Sequence, residues 1–280
     1  MLMKNHSEYL NKKKDFIREN SSLSENFFTF YTGLFELQQK AYDALGEVSL
    51  SFESCGKDNL PFLKIEHLKL DSKILDVLNI LALDISSEIK KTNPGMDFSA
   101  FESSFVTDAT DLLKSLLAKD YSYFELKEKA YKLDISEILF MVHNIFKPLM
   151  IKAAENANLK IEKEDWLRGD CPFCGYLPDF SKIVESVDNK RKLHCSLCES
   201  EWEFPRLQCH VCGNDNQETL GYYEYEGTDY RIYYCEHCKS YIKALKIPKL
   251  KEESNIDLAV EDIVTGFLDS SMMQKGYVRC

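Results

Sequence analysis

Cys171-Pro172-Phe173-Cys174-Gly175, Cys195-Ser196-Leu197-Cys198, Cys209-His210-Val211-Cys212-Gly213 and Cys235-Glu236-His237-Cys238 are four Cys-x-x-Cys pairs placed between positions 171 and 238 of a 280-residue chain. Two residues between cysteines let a tight turn aim both sulfurs at one ion, and two such knuckles complete a tetrahedral thiolate shell. The chain has ten cysteines. In a compartment that keeps thiols reduced, this number points to metal or redox chemistry rather than to a disulfide framework.

The segments between the knuckles are suited to bringing them together. Tyr222 to Tyr225 and Tyr230 to Tyr234 are strand-like, and Glu226-Gly227-Thr228-Asp229 between them reads as a turn. Phe180 to Val187 and Arg191 to Leu193 could pair in the same way across Asp188-Asn189. Both units then share one plan of knuckle, strand, turn, strand and knuckle. The repeat assigns Cys171, Cys174, Cys195 and Cys198 to one site and Cys209, Cys212, Cys235 and Cys238 to the other. A crossed arrangement, with the first and third pairs sharing an ion, stays open. Gly175 and Gly213 end the first knuckle of each unit and suit a tight turn, whereas the second knuckles end in Glu199 and Lys239. His194, His210 and His237 lie beside or inside knuckles, but eight thiolates already fill two shells. Cys55 and Cys280 are unpaired in sequence. Four-sulfur coordination suits iron and zinc alike, so the expected cofactors are two metal ions per chain, iron or zinc.

Upstream the character changes. Residues 1 to 165 hold three prolines and four glycines and show long stretches of helical periodicity. In Ser24 to Leu45 the apolar residues Phe27, Phe30, Tyr31, Leu34, Phe35, Ala41 and Leu45 recur mostly at spacings of three and four, with Gly46 as a stop. Similar helices are expected over Ser72 to Lys91, Phe98 to Ala118 and Ile135 to Asn158, the last one kinked or ended by Pro148. His143 on that helix reads as an ordinary packed side chain. The expected fold class is α+β and multidomain: an all-α domain over 1–165, a first metal module over 166–204, a second over 205–250, and a closing helix within 251–280 that packs back on the body. A charged linker, Lys249 to Ser254, leads into that helix.

The formal charge of −11 and pI near 5.2 argue against a nucleic-acid partner. From Trp166 to Leu250 there are 11 Lys and Arg against 13 Asp and Glu, so the cysteine half is itself slightly acidic. No signal peptide is evident and the apolar runs are too short to span a bilayer, so membrane insertion is not expected and the expected location is cytoplasmic. No phosphate loop, dinucleotide fingerprint, His-Glu-x-x-His or Gly-x-Ser-x-Gly motif is present. Four cysteines also close the coordination shell that a catalytic zinc keeps open. The chain therefore reads as a non-enzyme.

From Asp170 onward the sequence resembles the formate dehydrogenase accessory proteins, the FdhE family. The resemblance rests on Cys171-Pro172-Phe173-Cys174-Gly175, Leu193 to Trp202, Arg206 to Cys212, Cys235 to Lys243, and, in the tail, Asp257-Leu258-Ala259, Leu268-Asp269 and Gly276 to Arg279. It implies a helical domain followed by two rubredoxin-like modules. It also implies a cytoplasmic assembly factor or chaperone that binds the catalytic subunit of formate dehydrogenase, with iron associated with the cysteine modules. Trp202, Arg206, Arg231, Tyr241 and Lys243 flank the knuckles and are the candidate partner-binding residues, because aromatic and Arg side chains dominate interface energetics. A homodimer stays open. The competing functions are rubredoxin-like iron electron transfer or redox sensing and, behind it, zinc-ribbon nucleic-acid binding.

Overall fold

The structure is a computed structural model and describes residues 5–20, 25–48, 61–157, 166–185, 190–248 and 255–279. Cys55, the Asp188-Asn189 turn, the 249–254 linker and Cys280 lie outside the described residues. Two compact units emerge, a helical one from 1–18, 22–159 and 173–175, and a sheet unit from 19–21, 160–172 and 176–280.

In the helical unit, α1 (His6–Lys12) and α2 (Lys14–Asn20) precede α3 (Glu25–Leu45), which stops where Gly46 turns to φ +63°. Then come α4 (Ser72–Thr92), α5 (Ser99–Ala118), α6 (Tyr121–Tyr131) and α7 (Ile135–Ala157). The Asp71 side chain caps α4 by accepting from the Ile74 N–H at 2.8 Å, which satisfies one of the donors a helix start leaves open. That helix buries Ile74, Leu78, Leu81, Ile85 and Ile89, the three-and-four spacing its sequence shows. Helices α3, α4 and α7 pack on one another, and the Gln38 amide of α3 donates to the Asn144 carbonyl of α7 at 3.0 Å.

Of the two expected outcomes at Pro148, a kink or an end, the end does not occur: α7 continues to Ala157 with the proline inside it. Ile145, Phe146, Leu149 and Met150 around it are all completely buried, and packing of this extent outweighs the roughly 3 kcal/mol that an interior proline costs. Helix α6, which sequence periodicity did not single out, is only 11 residues long and buries just Phe124 and Tyr131.

In the sheet unit, β1 (Pro178–Val184) pairs antiparallel with β2 (Lys190–Cys195), and β2 with β3 (Glu201–Phe204). The second half repeats the pattern with β4 (Leu220–Glu224), β5 (Tyr230–Cys235) and β6 (Ser240–Ile247). The two meanders then join. β1 and β6 pair in parallel, Phe180 opposite Lys243 through Val184 opposite Ile247, giving the order β3-β2-β1-β6-β5-β4. The short β7 (Val278–Arg279) adds to the start of β6. The two cysteine modules, laid out in succession along the sequence, thus share one sheet.

The tail holds two helices where a single closing one was expected, α8 (Leu258–Val264) and α9 (Gly266–Gln274). The chain breaks at Thr265, whose hydroxyl donates to the Glu261 carbonyl at 2.7 Å. Both helices are tied to the sheet. Tyr230 bonds Glu261, the Tyr241 hydroxyl donates to Asp269 at 2.9 Å, and Lys243 reaches Asp262 and Asp269. Among the described residues no helix is long and apolar enough to cross a membrane.

Candidate metal centres

Each knuckle is a turn whose second cysteine is followed by a residue in left-handed conformation. Gly175 and Gly213 have φ +73°, and Glu199 and Lys239 have φ +58°. The backbone therefore treats all four knuckles alike, although sequence supplies glycine in only two. In three of the four knuckles the first cysteine also donates its N–H to a carbonyl five residues on: Cys171 to Tyr176 at 2.8 Å, Cys195 to Ser200 at 2.9 Å and Cys209 to Asn214 at 2.8 Å.

The sheet brings the knuckles together in pairs. The sulfurs of Cys171, Cys174, Cys195 and Cys198 all lie within 4.8 Å of one another, as do those of Cys209, Cys212, Cys235 and Cys238. The first and third pairs do not share a cluster. Individual Sγ–Sγ distances are 3.5 Å for Cys171–Cys198, 3.7 Å for Cys209–Cys238 and 3.8 Å for Cys212–Cys235. A tetrahedral ion with metal–sulfur bonds near 2.3 Å needs sulfurs about 3.8 Å apart. The donor set and its spacing therefore fit a tetrahedral, thiolate-preferring ion such as zinc or iron.

A serine sits two residues past the last cysteine of each cluster and touches its sulfur. Ser200 Oγ is 3.2 Å from Cys198 Sγ and Ser240 Oγ is 3.0 Å from Cys238 Sγ. Toward a thiolate the hydroxyl is the donor, and such contacts spread the sulfur's negative charge. In the second cluster the Val211 N–H donates to Cys209 Sγ at 3.4 Å, and the Asn214 amide to Cys235 Sγ at 3.6 Å. Sequence reasoning did not select Ser200 and Ser240; their identical offset from Cys198 and Cys238 was the available signal.

The clusters differ in shelter. All four cysteines of the first are buried, whereas Cys212 is exposed and Cys238 half-buried in the second. Among the described residues no histidine joins either group of ligand atoms. His194 Nδ1 pairs with Asp179 at 2.8 Å. Burial works against its proton, but the Asp179 carboxylate prevails and raises its pKa. His210 is held down to about 3 by burial and by Arg191, so its ring is neutral. His237 is exposed. Gly169, in the segment entering the first knuckle, passes so close to the third that an added Cβ would lie 1.7 Å from the His210 carbonyl oxygen.

Three of the five candidate partner-binding residues are interior. Trp202 is 5% exposed with its indole N–H donating to the Arg168 carbonyl at 3.1 Å, and Tyr241 and Lys243 are each 1% exposed. A side chain already buried among its own neighbours cannot anchor a partner, and this corrects the expectation for all three. Arg231 is half-buried, paired with Glu224 and stacked over Tyr222. Arg206 is exposed.

A family model described as the FdhE central domain matches residues 170–206, from just before the first knuckle to just past β3. Those residues are similar to an FdhE central domain. An FdhE homolog of Shewanella sp. (strain MR-4) is 40% identical over 108 residues, which are 38% of this chain and 35% of that protein. One from Aquifex aeolicus is 31% identical over 143 residues, 50% of this chain and 49% of that protein. The matches thus span half or less of these curated relatives. The likeness of fold extends further: the crystal structure of the FdhE protein from Pseudomonas aeruginosa superimposes with a TM-score of 0.57 over 99% of this chain and 93% of that one, at 20% identity.

Proposed function

We propose that this chain is a non-enzymatic accessory protein for formate dehydrogenase that binds the catalytic subunit in the cytoplasm and holds one zinc or iron ion in each four-cysteine site. The observation that carries the proposal is the pair of sulfur clusters at tetrahedral spacing, the first of them within the stretch that matches the FdhE central-domain model. The ions would fix the knuckles, and the knuckles would fix the surface they carry. Around the third knuckle that surface includes Arg206, Leu207 at 58% exposure and Val211 at 44%. Arg is enriched at protein interfaces and the exposed aliphatic side chains beside it add apolar area to bury, so these residues take the place of the three buried candidates.

The test is co-purification with a formate dehydrogenase catalytic subunit. Leu207→Asp with Arg206→Ala, both outside the knuckle, should keep the full metal content and lose at least about tenfold in affinity. Binding that is unaffected by the pair would place the contact elsewhere, and absence of complex with the unaltered chain would overturn the proposal.

The exposed Cys212 favours a second reading for the second site, rubredoxin-like electron transfer through iron close to solvent. This reading requires a visible band that bleaches with a one-electron reductant and returns on reoxidation. Zinc with no redox response would remove it.

A further inference from the structure

Strand β4 ends the sheet on one side, beyond β5 in the strand order. Tyr225 donates its N–H to the Tyr230 carbonyl at 3.1 Å and Glu236 to the Thr219 carbonyl at 2.8 Å, so the odd-numbered residues from 219 to 225 are the ones that bond across to β5. Antiparallel pairing alternates, which turns the N–H and C=O groups of Leu220, Tyr222 and Glu224 outward. Among the described residues no backbone group bonds them on that side. Folded proteins usually guard such an edge with lysine, proline or a bulge. β4 has none of these: Leu220-Gly221-Tyr222-Tyr223-Glu224 carries a single charge at its end, and its register against β5 runs without interruption.

The side chains beside this edge are aromatic and acidic. Tyr222 is 52% exposed and Tyr223 39%. Gly221 leaves room for the Tyr234 ring, which stacks on Tyr223 with centroids 4.9 Å apart. From Gly213 to Asp229 the chain has Asp215, Glu218, Glu224, Glu226 and Asp229 and no Lys, Arg or His. Glu218 before β4 and Glu226 after it are both exposed, so acids flank the edge at each end. Arg231 and Lys275 lie over the Tyr222 and Tyr223 rings at 4.8 and 5.2 Å, and these two cations leave the carboxylates in excess. We propose that the β4 edge is a docking site for an extended, lysine- or arginine-bearing segment of another polypeptide, which adds to the sheet as a further strand. Main-chain bonds to Leu220, Tyr222 and Glu224 supply the affinity, and the surrounding carboxylates select a basic strand over an acidic one. This site uses neither Arg206 nor Leu207 and assumes no formate dehydrogenase partner, so it and the proposed function can fail separately.

The experiment uses the metal-loaded full chain and the end-capped peptide Lys-Val-Lys-Val-Lys-Val, with Glu-Val-Glu-Val-Glu-Val as its acidic counterpart, at physiological ionic strength. Saturable binding of the lysine peptide is expected, with amide exchange slowed at Leu220, Tyr222 and Glu224 and unchanged at Gly221 and Tyr223, whose N–H groups already bond to β5. Tyr222→Pro removes the central outward donor at an edge position, where proline is tolerated, and should abolish that protection. Glu218→Lys with Glu226→Lys, both on exposed turns, should keep the metal and the strand and weaken the lysine peptide at least about tenfold. Binding without the alternating protection would overturn strand addition. Equal binding of the two peptides, or equal binding of the lysine peptide to the unaltered and the doubly substituted chain, would overturn the basic partner. Protection of the same three amides without peptide, present at high protein concentration and lost on dilution, would assign the edge to a second copy of this chain and overturn the proposal as well.

Discussion

Lys243 Nζ lies 2.6 Å from Asp269 Oδ2 and 2.9 Å from Asp262 Oδ1, with the lysine side chain 1% exposed. One buried ammonium on β6 thereby fastens both tail helices to the sheet. Arg279 on β7 reaches the same two carboxylates and donates to the Asp179 carbonyl at 3.1 Å. Burial works against the Asp262 charge, but Lys243 and Arg279 overcome it and hold the carboxyl down to about 2. Replacing Lys243 with Ala leaves one buried and one half-buried carboxylate sharing one cation, and removal of one partner from a buried pair costs up to roughly 3–5 kcal/mol. Lys243→Ala should therefore release α8 and α9 to limited proteolysis near residues 255–279 with α1–α7 still resistant. Asp269→Asn in the same chain should restore part of the loss, because it removes one of the uncompensated charges. Equal protease resistance in Lys243→Ala and the unaltered chain would contradict the role given to the network.

The difference in shelter between the clusters predicts two-step metal loss. An excess of chelator should remove one ion per chain quickly, from the site with exposed Cys212, and the second far more slowly, from the site with four buried cysteines. Cys212→Ser should abolish the fast phase and leave the slow one. A single phase of two ions would mean that exposure does not control release. Complete removal should unfold the sheet unit, since structural zinc in small domains contributes an apparent ~10–16 kcal/mol.

The left-handed turns give opposite expectations for a glycine gained and a glycine lost. Lys239→Gly and Glu199→Gly should be neutral or stabilising by up to about 1 kcal/mol, because glycine adopts φ +58° without a steric cost. Gly213→Ala, at φ +73° with nothing closer than 3.9 Å to the added carbon, should cost about 1–2 kcal/mol from backbone strain alone. Gly169→Ala meets the His210 carbonyl instead and should cost more. Denaturant titration of the four metal-loaded variants tests the order.

The helical unit should carry a distinct alkaline sensitivity. The Tyr131 hydroxyl donates to Asp108 at 2.6 Å, and burial, then the Asp108 carboxylate, raises its pKa above the ordinary 10.0. The folded state therefore holds this proton where the unfolded state has lost it. Linkage makes stability level below about pH 10 and falling above it, toward the folded pKa. Tyr131→Phe should cost about 1 kcal/mol at pH 7 through the lost hydrogen bond. Its stability should also fall less steeply above pH 10 than that of the unaltered chain, as read by helical circular dichroism.

Much of this protein was legible in the sequence because the signals were local. The four Cys-x-x-Cys turns needed only neighbouring residues, and the helices over 25–45, 72–92, 99–118 and 135–157 needed only an apolar period and a stop such as Gly46. The grouping of knuckles into clusters followed from the repeat of knuckle, hairpin and knuckle. What the sequence could not supply depends on pairing between distant segments. The parallel β1–β6 ladder joins residues about 60 positions apart, and no local pattern encodes it. The interior positions of Trp202, Tyr241 and Lys243 follow from that ladder and from the tail helices, because an isolated strand has no inside. The same pairing buries Arg191 with two donors unspent. Local stereochemistry thus determined the metal-site turns and the helices, whereas non-local strand pairing decided which side chains face solvent and which are buried as charges.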